Sequence, residues 1–484
     1  MLAHYPAMIA NDISPAGSRQ VSSPFDQTPI ADIDTCDDQA VEAALATAYA
    51  LFRNRDAWLS VTQRIVILEK ACAIMTERAE TLALEAAREG GKPLNDSRVE
   101  VARAIDSLRL CVECLRNDGG EVIPMDINPA SAGKQAFTIA EPVGVVVAVS
   151  AFNHPLNLIA HQVGPAVAAG CPVIVKPAEE TPLSCFRLVE ILHEAGLPAA
   201  WCQALVTDNR EVATRLVTDP RVGFFSFIGS ARVGWSLRAQ LAPGTRCALE
   251  HGGAAPVIVA KDADIDAVIP RLLKGGFYHA GQVCVSVQRV FVHRSIAQEL
   301  AARLAEGASQ LRVGDPTLEE TEVGPLIRPA EVERIGQWVN EAVSAGAELL
   351  CGGEPLSSTI YACTVLYDPP DDAKVSREEI FGPVVCVYPY DEIEEAIARA
   401  NSLPWAFQAA VFTDSLSTAK LASSRLDASA VMINEHTAFR VDWMPFAGLR
   451  QSGLGTGGIP YTLHDMQIQK LIVTQMSEGA SSIR

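Results

Sequence analysis

The apolar rhythm changes along the chain. From Asp37 to Phe52, Val41, Ala44, Leu45 and Ala48 recur on one face at helical spacing, with Asp37 or Asp38 placed to cap the start. Thr62–Glu89 and Leu94–Arg116 read as two longer helices, separated at Gly90-Gly91-Lys92-Pro93. The residues before about Asp34 mix Pro, Ser and Gly and predict a partly ordered lead-in. Between Gly119 and Glu141 the period shortens. Glu121-Val-Ile-Pro and Lys134-Gln-Ala-Phe-Thr-Ile, joined by Asn128-Pro-Ala-Ser-Ala-Gly, predict a hairpin with a longer loop.

A regular alternation follows. Strands are predicted at Val143–Val149, Pro172–Val175, Gln203–Val206, Val222–Phe227 and Cys247–Glu250. Helices fall at Leu156–Ala169, Pro182–Ala195, Glu211–Thr218 and Ala231–Leu241. Such an alternation predicts an α/β fold with a parallel sheet and right-handed crossovers. Ligands meet such sheets at the carboxyl ends of the strands. The polar residues there are Asn153, Lys176 with Glu179, Gly229-Ser230, and Glu250. A second α/β unit runs from about Pro256 to Gly448. Its strands include Val257–Val259, Val287–Val292, Val384–Tyr388, Ala409–Phe412 and Val431–Ile433. Its helices lie near Asp264–Gly275, Ile296–Leu311, Pro329–Ala345 and Glu392–Asn401. Lys470–Thr474 is strand-like again, ahead of a polar tail.

No charged residue occurs from Pro142 to Val175, a length that could suggest a membrane span. The segment also holds Pro142, Pro155, Pro165, Pro172, Asn153, Asn157, His154 and His161. Those residues fit badly with one lipid-facing helix, so a buried strand–helix–strand unit is the better reading. With 484 residues the chain is too long for one core, and two or three domains are expected. Hydrophobic residues at 49% and charged residues at 20% place it among globular proteins. A net charge of −19 excludes a nucleic-acid partner, whose phosphates demand a basic footprint.

Twelve Cys in this length are too sparse for a disulfide scaffold. Met1–Pro24 lacks a basic start followed by an apolar block, so no signal peptide is read, and a cytoplasmic protein with reduced thiols is expected. Cys111 and Cys114 form a Cys-x-x-Cys pair inside a predicted helix. No second ligand pair lies near, so core packing is expected and no metal site. Gly453-Leu-Gly-Thr-Gly-Gly458 has the spacing of a dinucleotide loop. No strand feeds it and no clear helix follows, so it reads as an ordinary loop.

The chemistry centres on Gly275–Val292. Cys284 sits there after the turn residues Ala280-Gly281-Gln282 and before an apolar, strand-like run. A thiol in that place is either a nucleophile or a small buried hydrophobe. Glu250, at a strand end, is either a general base or a solvated carboxylate. Asn153 is either an oxyanion donor or an Asn-x-Pro turn residue. Their order along the chain decides. Phe152-Asn153-His154-Pro155, Lys176-Pro-Ala-Glu179, Phe227-Ile-Gly-Ser230, Leu249-Glu250-His-Gly-Gly253, Gly281-Gln-Val-Cys284, Glu379-Ile-Phe381-Gly-Pro383 and Pro445-Phe446-Ala-Gly448 occur in sequence. In order and spacing this set resembles the NAD(P)-dependent aldehyde dehydrogenase superfamily over nearly the whole chain.

The resemblance implies a Rossmann-type cofactor domain (1–120 and 142–251) and an α/β catalytic domain (252–448). It also implies a small β oligomerisation element (121–141 and 462–484) that makes a homodimer or homotetramer. It implies that Cys284 attacks the aldehyde carbon, Asn153 and the Cys284 backbone N–H hold the oxyanion, and Glu250 activates water. Lys176 and Glu179 would hold the adenine ribose. A carboxylate there repels a 2′-phosphate, which favours NAD, with NADP the alternative. Gly229 and Ser230 would face the pyrophosphate, and Glu379 the nicotinamide ribose with Phe381 beside it. The sequence departs from the family pattern at Ile228, His251, Ala254 and Ala447.

His154, Arg440 and Arg103 are three groups able to carry positive charge near the expected substrate entrance. They resemble the branch that oxidises small aldehydes bearing a phosphonate, sulfonate or carboxylate. The competing reading pairs Arg440 with Asp442 and Arg103 with Asp106. The reaction expected is oxidation of a small-molecule aldehyde to the acid by NAD+ and water, through a thiohemiacetal and a thioester. Transfer of the acyl group to CoA, hydrolysis by Cys284 with His279 or His251, and an inert chain are the competing readings. The presence of Glu250 speaks for water against CoA.

Overall fold

In a computed structural model of the protein, residues 2–11 and 13–475 are described. Two large sheets organise them. The first has six strands, in the order Gly453–Leu454, Arg246–Glu250, Val222–Ile228, Val145–Val149, Val173–Lys176 and Cys202–Ala204. All neighbours run parallel except Gly453–Leu454, which lies antiparallel to Arg246–Glu250. Successive strand residues alternate between two cores. Val146, Ala148, Val173 and Val175 pack with helices Val61–Glu77, Leu94–Asn117 and Asn157–Ala169. Val145, Val147 and Ile174 pack with Asp38–Arg53 and Arg210–Thr218 on the other face. A sheet buried on both faces needs uninterrupted apolar strands, which is the origin of the long charge-free run.

The second sheet has seven strands: Glu348–Cys351, Thr364–Tyr367, Val384–Tyr390, Arg289–His293, Pro256–Val259, Gln408–Phe412 and Ala430–Ile433. Only Glu348–Cys351 is antiparallel to its neighbour. It carries a separate core around Val257, Phe291, Val385 and Val411. A third, small sheet joins Val122–Ile123, Lys134–Pro142 and Gln467–Gln475. The predicted hairpin is therefore present, and its long strand runs antiparallel to the strand around Lys470–Thr474. Residues 476–484 of the expected oligomerisation element lie outside the described residues.

The structure differs from the predicted elements in several places. The lead-in is ordered: Gly17–Ser22 pairs antiparallel with Pro29–Cys36, and Val21, Ala31 and Ile33 bury their alternate side chains. The helix predicted over Thr62–Glu89 breaks at Arg78 into Val61–Glu77 and Ala79–Gly90, with neither Gly nor Pro at the break to signal it. The glycine run after Gly453 is no simple loop. It forms the edge strand of the first sheet and leads into helix Ile459–Asp465, whose Ile459 and Leu463 enter the core. Cys111 is fully buried in the core, as the packing reading expects.

Candidate active site

The strand Val145–Val149 delivers a loop that carries Asn153 and His154 into helix Asn157–Ala169. That loop is pinned from below. Glu100 Oε1 accepts the N–H groups of Leu156 and Asn157, at 2.9 Å each, and Glu100 Oε2 meets Lys92 in a buried ion pair. A carboxylate at a helix N-terminus satisfies donors that the helix cannot pair itself. Asn153 Nδ2 donates to the backbone carbonyl of Gln282 at 2.8 Å. An amide NH2 has two hydrogens, so one is left for the cleft. Gln282 is itself locked: its side chain donates to the carbonyls of His279 and Pro325 and accepts from Ile327 N–H at 3.0 Å.

Cys284 follows a tight turn in which His279 (φ 49°), Ala280 (φ 54°) and Gly281 (φ 70°) are all left-handed. A Cβ on Gly281 would lie 2.1 Å from the carbonyl oxygen of Gly382, so only glycine fits. The strand predicted from Val287 starts at Arg289, leaving Cys284 within the turn region. Val283 and Val285 on either side pack against Phe407 and Phe446 and hold the thiol between them. Burial pushes the Cys284 thiol up to about 12; Arg440 pulls it down, while Glu250 and Glu379 add to the rise. The resting thiol is therefore protonated.

Glu250 ends the strand Arg246–Glu250, and its carboxylate makes no hydrogen bond among the described residues. Burial raises its carboxyl, and Arg440 opposes the rise. Its Oε1 lies where a Cβ on Gly457 would come within 2.2 Å, so this glycine gives the carboxylate its room. His251 next to it faces away. Its Nδ1 bonds the carbonyl of Gly229 at 2.9 Å, and its ring lies between Phe227 and Trp235.

Cys284, Glu250 and Asn153 open on one cleft of about 760 Å³, which Arg103, His154, Gly229, Ser230, Glu379, Phe381 and Arg440 also line. Lys176 and Glu179 lie just beyond it, with Ala178 between them on its wall. Several of these residues suit a dinucleotide. Glu379 Oε1 is buried without a partner, and burial raises its carboxyl to about 8. Such a group is waiting for a donor. Ser230 caps helix Ala231–Arg238 without a side-chain bond, which leaves first-turn N–H groups open. Gly229 does not serve as expected: its N–H donates to the carbonyl of Glu250 at 3.0 Å and continues the sheet ladder. Glu179 is not free either. Its Oε2 meets Arg19 at 2.5 Å and its Oε1 lies 3.9 Å from Lys176 Nζ, so two cations offset its repulsion of a 2′-phosphate.

The three expected cations separate into different roles. Arg103 gives its charge to Asp442, through Nε–Oδ2 at 3.1 Å and Nη2–Oδ1 at 2.7 Å, and not to Asp106. His154 is buried against Tyr278 and His279, and burial holds it well below its usual pKa, so it is neutral. Arg440 has no carboxylate partner among the described residues. Its guanidinium lies 3.5 Å from the centre of the Phe446 ring, and its Nε is buried without a partner.

Residues 13–472 match the model of the aldehyde dehydrogenase family. This chain belongs to the aldehyde dehydrogenase family. It is 38% identical over 461 residues to 3-sulfolactaldehyde dehydrogenase of Priestia aryabhattai, covering 95% of this chain and 96% of that protein. A crystal structure of aldehyde dehydrogenase 21 from Physcomitrella patens, in complex with the reaction product succinate, matches at a TM-score of 0.94 and 35% identity over 99% of both chains. Glyceraldehyde-3-phosphate dehydrogenase of Methanocaldococcus jannaschii, complexed with NADP, matches at 0.89 and 34%, covering 94% of this chain and 98% of that one. Within this aldehyde dehydrogenase, sequence reasoning missed Arg19, Gln282, His161 and Gly457. Each acts through a partner far away in sequence, and only Gly457 carried a local signal, in its glycine run.

Proposed function

We propose that this protein oxidises a small anionic aldehyde to the carboxylic acid with NAD(P)+ and water. One observation carries the reading: the unpaired guanidinium of Arg440 faces the same cleft as Cys284, Asn153 and Glu250. A buried cation without an ion-pair partner is costly, Glu250 offsets that cost only through space, and an anionic substrate group relieves what remains. The relatives named for sulfolactaldehyde, succinate and glyceraldehyde-3-phosphate all point to substrates or products with an acidic group.

The residues divide the work as follows. Cys284 sulfur bonds to the aldehyde carbon as its proton passes to solvent, and the carbonyl oxygen becomes an oxyanion. The free N–H of Asn153 and the backbone N–H of Cys284 hold that oxyanion; one such donor contributes about 2.7–4 kcal/mol of barrier lowering. Bound NAD(P)+ supplies the hydride acceptor. Glu379 and the N–H groups after Ser230 would hold the cofactor, with Lys176 and Glu179 at its adenosine end. Glu250 then takes a proton from water, which attacks the thioester carbon. The C–S bond breaks, the acid leaves, and Cys284 regains its proton. The carboxylate of Glu250 stands unpaired in the cleft, which supports water over CoA as the acyl acceptor.

The sheets suggest a cofactor domain at 1–120 and 142–251 and a catalytic domain at 252–448. Exposed Phe137, Ile139, Leu471 and Val473 on the small sheet support its role in a homodimer or homotetramer. Cysteines without disulfides among the described residues support a cytoplasmic place. No described helix is long and apolar enough to cross a membrane. The test follows NAD(P)H across neutral and anionic aldehydes, with Cys284→Ala in parallel. Cys284-dependent turnover of anionic aldehydes alone is expected. Equal turnover of neutral ones would overturn the substrate class, and turnover without Cys284 would overturn the mechanism.

A further inference from the structure

Asp442 would be the natural partner for Arg440, two residues away, yet the two do not pair. The Asp442 oxygens are taken by Arg103 on both sides, by Asn157 Nδ2 at 3.3 Å and by His161 Nε2 at 2.7 Å. On the far side of the same ring, His161 Nδ1 lies 3.4 Å from Arg440 Nη2. We infer that His161 is a positioning residue that fixes the Arg440 guanidinium through a neutral imidazole, and so sets the preference for anionic aldehydes. The inference rests on the reading of Arg440 as the anion receptor.

The hydrogen-bond chemistry leaves one arrangement. A guanidinium has donors only, so Nδ1 must present a lone pair to it. The ring proton then sits on Nε2 and is donated to Asp442. An imidazolium would set an N–H against the Arg440 N–H and lose the contact. The surroundings enforce neutrality: His161 is 4% exposed, and burial, joined by the charge of Arg440, outweighs Asp442 in setting its protonation. The consequence is a division of labour between two ways of holding an arginine. Arg103 is held by a carboxylate, which cancels its charge. Arg440 is held by an uncharged acceptor, which orients it without an ion pair, so its charge acts on Glu250 and on a ligand in the cleft. Asp442 thus orients Arg440 only at second hand, through the ring.

His161→Leu removes both bonds. His161→Gln can restore both, since its amide NH2 can donate to Asp442 and its carbonyl can accept from Arg440. The expected result is a KM for an anionic aldehyde raised roughly tenfold in His161→Leu, as for loss of one bond to a charged group. The KM for a neutral aldehyde and kcat should move less than about twofold by the same reasoning, and His161→Gln should return the anionic KM toward wild type. Should His161→Leu fail to fold, ¹⁵N spectra of the wild type decide instead: a bare Nδ1 and a protonated Nε2 support the inference, and the opposite tautomer overturns it. Equal KM changes for both aldehydes, or no rescue by Gln, also overturn it. Arg440→Leu runs alongside. If that variant leaves the anionic preference intact, the receptor reading itself fails. If it abolishes the preference while His161→Leu spares it, only the role of His161 fails.

Discussion

The side-chain amide of Asn153 donates to the backbone carbonyl of Gln282, two residues before Cys284, at 2.8 Å. The side chain proposed to hold the oxyanion and the backbone that presents the proposed nucleophile are thereby tied together, although the strands beside them belong to different sheets. Asn153→Ala removes both the oxyanion donor and the tie. We expect kcat to fall by roughly 10²- to 10³-fold, with KM little changed. Asn153→Asp keeps an acceptor but places it against the Gln282 carbonyl, and should be no better than Ala. Steady-state kinetics of the two variants, with folding checked by circular dichroism, decide this; an Asp variant near wild type would break the link.

Gly457 bounds the space of the Glu250 carboxylate. A methyl group there would sit 2.2 Å from Oε1, and a carboxylate at the end of a flexible side chain is what gives way. Gly457→Ala should therefore displace the base without touching Cys284. The expected outcome is a normal burst of NAD(P)H followed by a steady rate lower by roughly a hundredfold, the scale of general-base catalysis. Mass spectrometry should find the acyl group on Cys284. A linear progress curve at the wild-type rate would refute the assignment.

Burial sets the Cys284 thiol at about 12, and Arg440 is the cation that pulls it down. The thiolate is the reactive form and forms only as pH rises toward that value. Without cofactor, the rate of iodoacetamide alkylation should keep climbing through pH 10 with no plateau, since about 12 lies beyond it. Arg440→Leu removes the lowering influence, shifts the curve to higher pH and slows alkylation at any fixed pH by roughly tenfold, one pKa unit. A plateau near neutrality, or faster alkylation in the variant, would contradict the electrostatics.

Arg19 and Lys176 flank Glu179. Arg19→Ala should leave Glu179 to repel a 2′-phosphate with less compensation. For exposed pairs worth up to about 1 kcal/mol, KM for NADP+ should rise up to about fivefold, with KM for NAD+ nearly constant. Calorimetric titration with 2′,5′-ADP and 5′-ADP gives the same comparison without turnover. A parallel loss for both ligands would remove Arg19 from cofactor choice.

The α/β alternation and the carboxyl-end residues were legible in the sequence because doubly buried strands cannot hide their apolar runs, and strand ends place the polar residues that follow them. Asn153 and Glu250 were found that way; Cys284, which precedes a strand, was found from its turn and its place in the ordered motifs, and the three line one cleft. The N-terminal strands were not legible, since their apolar positions Val21, Ala31 and Ile33 are few and interleaved with polar residues. Nor was the sorting of charges. Arg103 could have paired with Asp106 on its own helix, and only the tertiary fold brings it to Asp442 instead. Gly229 looked free because sequence shows that a glycine can approach a ligand, but not that its N–H is already spent on Glu250.

Two pairings bear on how the protein is made. Glu250 lies opposite Gly453 across the antiparallel edge of the first sheet, and Lys134–Pro142 pairs along its full length with Gln467–Gln475. Both contacts join segments far apart in sequence, so each carries a large loop-closure entropy. During synthesis, the thiol of Cys284 and the strand bearing Glu250 emerge well before the segment of Gly453 and Gly457 that edges that strand and bounds its carboxylate. A half-made chain thus carries the proposed nucleophile before the edge strand that completes the sheet of the proposed base.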